Sequence, residues 1–334
     1  MVFRVLLLEF EKGYHVGWRE PRVIVDHTTV LRALLYYSYL LGLGKCLELI
    51  KGGSLRSSAL LPAVKIGDSV RILFPFPRLP SYVKASEIRK LWTTPQGLQY
   101  ILDFVKECVE SSGTPIVDEV RGDSISILCH GANKSVELKQ IGDVVCVDSD
   151  CKGFTSDHRG FFERVEEYRN RVDRLSGSAD VFVVKGIKPN TLLWIAFEGN
   201  EEAIICAENL FKLLELTGLG GLRSRGWGRF RVVDAKIDEQ FLDTVTKMLG
   251  WSKGYNLLLG SMSPGGWMDL PRSFLEVGTI MGRSGPPQDE YVLPVIKILD
   301  VGSLVYVINI PSPKIIPLNN DRALLLFNPV VLHA

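Results

Sequence analysis

The run GLGGLRSRGWGRFRV, residues 218–232, sets five glycines and four arginines around one tryptophan, and no acidic residue lies between Glu215 and Asp234. Three uses fit such a composition: a dinucleotide loop, a structural turn, or a grip on a nucleic-acid backbone. A dinucleotide loop needs a strand before its glycines and a helix after them, so that the pyrophosphate meets a helix N-terminus. Here NEEAIICAENLFKLLELTG, with acids in its first turn, reads as a helix before the glycines, and GRFRVVDAKI reads as a strand after them. The spacing fails too: Arg223 stands where G-x-G-x-x-G requires its last glycine, and no Lys-Ser or Lys-Thr pair follows. A helix C-cap and a loose turn account for Gly218 but not for the remaining glycines. Glycines let a backbone approach phosphates, arginines supply forked donors to phosphate oxygens, and a tryptophan face can stack on a base. Arg223, Arg225, Arg229 and Trp227 are therefore candidate RNA contacts.

Other segments carry weaker signals. YRNRVDRLSGSAD, 168–180, holds Arg169, Arg171 and Arg174; the competing reading is a solvated arginine-rich helix end with Asp173 pairing one arginine. GYHVGWRE, 13–20, puts His15 and Trp18 near the end of the first strand as further candidate RNA contacts, although a lone histidine there is more often structural than catalytic. CVDSDC offers Cys146 and Cys151, which Cys129 and His130 could complete as a zinc set, but paired Cys-x-x-Cys units are missing. No metal and no cofactor are expected.

The elements that must position these residues follow from periodicity. FRVLLLEFE, 3–11, is a strand, and TVLRALLYYSYLLG, 29–42, has helical spacing behind Thr28 and Thr29 as N-caps, with Gly42 as its stop. From about 44 to 160 the pattern weakens to proline-rich pieces such as FPFPRLPSY, a helix near 95–110 and a hairpin over 123–148. Strands follow near 179–188 and 190–198, then the helix 200–218, the glycine run and its strand. Strand, helix, two strands, helix, strand is the order of a ferredoxin-like (RRM-like) unit, here with a long insertion. The expected class is α+β with two ferredoxin-like domains. The first spans 1–238, with the insertion at about 44–160 and the glycine loop at 218–228; the second, reduced, spans 239–334 with one helix and strands near 255–261, 274–281, 291–299 and 303–309.

Bulk properties exclude some classes. With 334 residues, 46% hydrophobic and 23% charged, the chain can bury a core, and its formal net charge of +1 means that any nucleic-acid contact comes from local clusters. No apolar run approaches the length of a membrane span, and the N-terminal segment reads as a strand rather than a signal peptide. The six cysteines are scattered, which fits a reducing, cytoplasmic location better than a disulfide frame. FPFPRLPSY and the C-terminal LLLFNPVVLHA are either docking pieces or core strands.

YHVGW after the first strand, TTVLRALLYYSYLLG as first helix, RNRVDRLSGSA before the second strand and GLGGLRSRGWGRFRV before the fourth together resemble the RAMP superfamily of CRISPR effector proteins. NLLLGSMSP, VGTIMGRSG and VLPVIKILDVGSLVYV narrow the likeness to the subunit-four (Cas5-like) group of type III-A Csm complexes. The resemblance runs to about residue 309 and is loose over 44–160. It implies a non-catalytic subunit that holds the 5′ repeat-derived handle of crRNA. It also implies contacts with a large polymerase/cyclase-like signature subunit and with a backbone RAMP subunit, and none with a membrane. By position it puts Gly220, Gly221, Arg223, Ser224, Arg225, Gly226 and Gly228 in an RNA-facing loop, with Arg171 and Arg174 near it. Thr28 stands where that family usually has an acid at the start of the first helix.

Two enzymes of the same superfamily are the rivals. A metal-independent pre-crRNA endoribonuclease would use His15 or His27 as general acid or base, but its glycine loop lies close to the C-terminus, and here about a hundred residues follow. A target-RNA-cleaving backbone subunit would use an aspartate in the loop after the first strand, which points to Asp26; a capping role is the alternative for that residue.

Overall fold

The computed structural model describes residues 2–17, 20–172, 175–281, 294–318 and 323–334. Strand β1 (Val2–Phe10) sends Leu7 to one core and Leu8 to another on its opposite face. Helix α1 (His27–Leu40) follows, then α2 (Gly44–Lys51) and the short strands β2 (Leu55–Ser57), β3 (Leu61–Ile66) and β4 (Ser69–Ile72). The N-cap of α1 is Asp26, whose carboxylate accepts the Thr28 N–H, and not Thr28 or Thr29.

The next stretch builds its own sheet from β5 (Phe74–Pro75), β6 (Trp92–Thr93), β7 (Thr114–Val120), β8 (Ser124–His130), β9 (Lys134–Ile141) and β10 (Val144–Cys146). A single turn, α3 (Ala85–Ile88), precedes β6, and α4 (Pro95–Glu110) packs against this sheet. Helix α4 starts where its sequence says it must: Thr94 caps the Gly97 N–H at 3.2 Å, and Pro95 opens the first turn. Strands β11 (Phe162–Val172) and β12 (Ala179–Pro189) then form a two-stranded ribbon. Strand β13 (Leu192–Gly199), helix α5 (Glu201–Thr217) and strand β14 (Phe230–Val233) complete the first sheet.

That sheet runs β14-β1-β13-β3-β4, with β2 also paired to β13. It differs from expectation in one place. The neighbour of β13 is not β12 but β2 and β3, from the segment read as an insertion, while β12 leaves the sheet to pair with β11. Both faces of the sheet are covered, which is why β13 reads LLWIAF without polar alternation. Leu193, Ile195 and Phe197 face α1 and α5, whereas Trp194 and Ala196 face the β5–β10 sheet and the C-terminal half. The Trp194 indole N–H is satisfied by the Leu73 carbonyl at 2.9 Å.

The C-terminal part has helix α6 (Glu239–Met248) and strands β15 (Gly254–Leu258), β16 (Met268–Phe274), β17 (Val277–Ile280), β18 (Ile296–Leu299), β19 (Leu304–Val307), β20 (Lys314–Leu318), β21 (Ala323–Phe327) and β22 (Val331–His333). Four of them form a sheet in the order β16-β19-β15-β22. Strand β16 and the last three strands exceed the expected set. The candidate docking pieces are core: Phe74, Phe76, Phe327, Val330 and Leu332 are all buried. Among the described residues no helix is long and apolar enough to cross a membrane.

The cysteine reading is corrected outright. All six pair, as Cys46–Cys206, Cys108–Cys129 and Cys146–Cys151. Folding brings partners together that are as much as 160 residues apart, so their spacing carried no sign of it, and the argument from unpaired thiols to a reducing compartment falls. The Cys46–Cys206 bond ties α2 to α5 across the longest loop. Replacing both cysteines by serine is expected to lower stability by about 2–4 kcal/mol, read as a drop in thermal midpoint that reductant does not deepen further at this bond. Ready alkylation of all six thiols in the native protein before reduction would contradict the pairing.

Candidate nucleic-acid interface

The glycine run closes the turn between α5 and β14, beside the C-terminal end of β1. Four of its glycines, Gly218, Gly220, Gly226 and Gly228, hold positive φ. Gly226 and Gly228 have φ of 83° and 79°, and a Cβ at Gly228 would fall on the Leu219 carbonyl. A 3-10 turn, Arg223–Arg225, lies between the glycines, and Leu222 before it adopts the left-handed region with φ 57°.

Backbone bonds lock this loop to the chain leaving β1. The Gly228 N–H donates to Gly13 O at 2.7 Å, the Gly221 N–H to His15 O at 2.7 Å, and the Leu219 N–H to Gly228 O at 2.9 Å. The Gly218 and Gly226 amides are likewise used internally. The glycines were expected to hold their amides open to RNA, and here most of those amides are engaged by protein. Among the described residues the amides of Gly220, Leu222, Arg223, Ser224, Trp227 and Arg229 have no backbone acceptor.

The arginines present a different picture. Arg225 and Arg229 are exposed, Arg223 is half-buried, and no carboxylate pairs with any of the three among the described residues. By contrast Arg231 pairs with Glu9 at 2.6 Å. Arg223 donates to the Tyr37 hydroxyl at 3.0 Å, and the Arg225 guanidinium lies 5.0 Å from the Phe182 ring of β12. The ribbon runs alongside. Arg169 donates to the Arg225 carbonyl at 3.2 Å and to both Glu167 oxygens at 3.0 Å, and Lys12 reaches Glu167 at 2.7 Å. These hydrogen bonds, Lys12 first and Arg169 second, hold the Glu167 carboxyl below its ordinary range. Arg171 is exposed on β11 opposite Asp180. The segment read as a possible helix end is therefore the tip of a strand. Arg174 and Trp18 lie outside the described residues.

Two expected contacts change role. Trp227 is 1% exposed, so it offers no open face to a base; its ring packs on Gly186 of β12, with the Lys12 ammonium 5.0 Å from its centre. His15 is half-buried and its Nδ1, 2.7 Å from the Lys185 carbonyl, is a donor there. It joins the ribbon to the loop. Lys12, Tyr37, Glu167 and Phe182 were missed, and only the ribbon's register reveals the last two.

The rival catalytic residues are engaged in packing. Asp26 is 2% exposed and accepts from Ser261 N at 2.9 Å, Ser261 Oγ at 2.6 Å, Thr28 Oγ1 at 2.7 Å and the His27 ring at 3.2 Å. His27 is buried; its Nε2 accepts the Asn328 N–H at 3.3 Å, so Nδ1 carries the proton toward Asp26. Neither group has an atom free for substrate. The zinc set does not assemble: Cys129 is bonded to Cys108. Cys146, Asp150 and Cys151 do meet, but the two sulfurs are bonded to each other and offer no thiolate.

No family model matches the chain, and no curated protein matches it. Among solved structures, a chain in the crystal structure of the Csm3–Csm4 subcomplex of the type III-A CRISPR-Cas interference complex matches with 18% identity over 99% of this chain and 99% of that chain, at a TM-score of 0.60. A chain of the Csm1–Csm4 cassette in complex with AMPPNP matches with 12% identity over 99% and 98% of the two chains, at a TM-score of 0.41. A chain of the type III-B Cmr-β complex bound to cognate target RNA matches with 10% identity over 90% and 86%, at a TM-score of 0.43. The first likeness shows the fold, which is the mixed α and β fold of that solved chain.

Proposed function

We propose that this chain is a non-catalytic RNA-binding subunit of a type III CRISPR interference complex. It anchors the 5′ handle of crRNA and bridges the large signature subunit to a backbone RAMP subunit. The observation that carries the reading is the cluster Arg223, Arg225 and Arg229, three guanidinium groups without a carboxylate partner among the described residues, on a loop with unfilled amides beside them. Uncompensated cations at one edge of a chain with net charge +1 call for a polyanion. The two-way coverage of the Csm3–Csm4 relative supports the setting, since that solved structure is of subunits joined to each other. We read the first sheet, with α1 and α5 on one face, as a ferredoxin-like unit over 1–238 whose second strand is β2–β3, and 239–334 as a reduced second unit.

Fluorescence anisotropy with handle-bearing guide RNA tests this. Arg223→Ala and Arg225→Ala should each weaken binding, and each should reduce the slope of log K against log salt by about 0.7 to 1. The RNA should remain uncut with or without magnesium. Slopes unchanged in both variants would remove the loop from the interface. Cleavage by the parent that is abolished in a folded His15→Ala or Asp26→Asn variant would replace the proposal with an enzyme.

A further inference from the structure

We propose that Trp227 is a positioning residue, a wedge that sets the direction of the β11–β12 ribbon relative to the arginine loop. Among the described residues the ribbon joins no larger sheet; β12 runs on through Asn190 and Thr191 into β13, and the bridge of Ile187 to Tyr14 adds a backbone link to the body. A two-stranded ribbon does not hold its own direction in water. Side chains must fix it, and the contacts converge on one place. Trp227 is fully buried although its neighbours in sequence are glycines and arginines, and it is Gly186 of β12 that makes room for it: a Cβ there would fall on ring atom Cζ3. Lys12 lies over the indole, 5.0 Å from its centre, and extends to Glu167 of β11. So the ring meets β12 at Gly186 and is linked to β11 through Lys12 and Glu167.

The indole N–H is buried and has no acceptor among the described residues. An orphaned donor costs about 1–3 kcal/mol, so the ring is there for its shape. Around it, Arg225 lies over Phe182 and Arg169 holds the Arg225 carbonyl. The wedge thereby holds Arg225 of the loop against Phe182 and Arg169 of the ribbon. Preorganised this way, the cations bind a strand without first being ordered.

The proposal rests on the RNA-binding reading only for its binding assay, so the test has two arms on the full-length protein. The first is amide hydrogen exchange without RNA. Gly186→Ala should raise exchange across 162–172 and 179–189 by about tenfold or more, with β1 and β13 unchanged. The second is anisotropy with handle-bearing RNA, where Gly186→Ala should lower affinity by about tenfold with the salt slope intact, because no cation is removed. Gly186→Ala combined with Trp227→Phe, which vacates the space the new methyl needs, should restore both readouts to within about threefold. Unchanged ribbon exchange in Gly186→Ala overturns the wedge. So does loosened ribbon exchange with full affinity, or failure of the double variant to recover. If Arg223→Ala also leaves RNA binding untouched, it is the RNA reading that has failed, and the exchange arm still decides the wedge.

Discussion

Asp26→Ala is expected to destabilise the fold by about 3–5 kcal/mol, the range seen when one member of a buried charged network is removed. The carboxylate caps α1 and at the same time receives the backbone and side chain of Ser261, so it fastens the first helix to the C-terminal half. Alanine leaves those donors, the Thr28 hydroxyl and the His27 ring unpaired in a dry interior. Chemical denaturation of the two proteins measures the effect; a difference under about 1 kcal/mol would mean that water or rearrangement replaces the carboxylate.

The same residue predicts a pH dependence. Burial alone would raise its pKa, but His27 beside it, Arg22 and the Ser261 hydroxyl outweigh burial and hold it well below the usual carboxylate range. A depressed acid stabilises the fold fully above its unfolded value near 4, and the contribution is lost as pH falls below that, at up to about 1.4 kcal/mol per pH unit. Asp26→Asn should therefore be less stable than the parent at neutral pH and lose less on acidification. Parallel stability–pH curves would remove Asp26 as the cause.

Gly228→Ala is the second large effect, expected at about 3–5 kcal/mol from left-handed strain plus overpacking against backbone. Its φ of 79° and the collision of the new methyl with Leu219 act together, and the Gly228 N–H that holds Gly13 would be displaced. Gly226→Ala is the internal control. Gly226 shares the positive φ, but its Cβ would meet nothing within 4 Å, so about 1 kcal/mol is expected. Equal losses at both sites would show that strain alone, and not the close approach, sets the requirement.

Much of the fold could be read from the chain because local signals agreed with tertiary ones. Thr94-Pro95 and Asn200-Glu201-Glu202 mark helix starts that the structure keeps. The failures share one cause: the deciding partner was remote. Thr28 and Thr29 are reasonable caps by type, and Asp26 prevails because Ser261 also needs it. Strand β11 carries charge on both faces and so has no apolar period; only pairing with β12 defines it. Trp227 sits among polar neighbours and looks exposed until Gly186 is brought under it. For the site, the arginines of the loop were evident from composition, whereas the ribbon residues that arrange them were not.

The weakly patterned middle of the chain cannot be excised. Splicing out 44–160 would take β2, β3 and β4 with it, strip Leu192–Trp194 of the strand beside them, and leave β13 as a raw edge with its amides open to any other chain. A shortened form for crystallography or engineering must retain 55–72 and also the sheet that begins at Phe74, which covers Trp194 and Ala196.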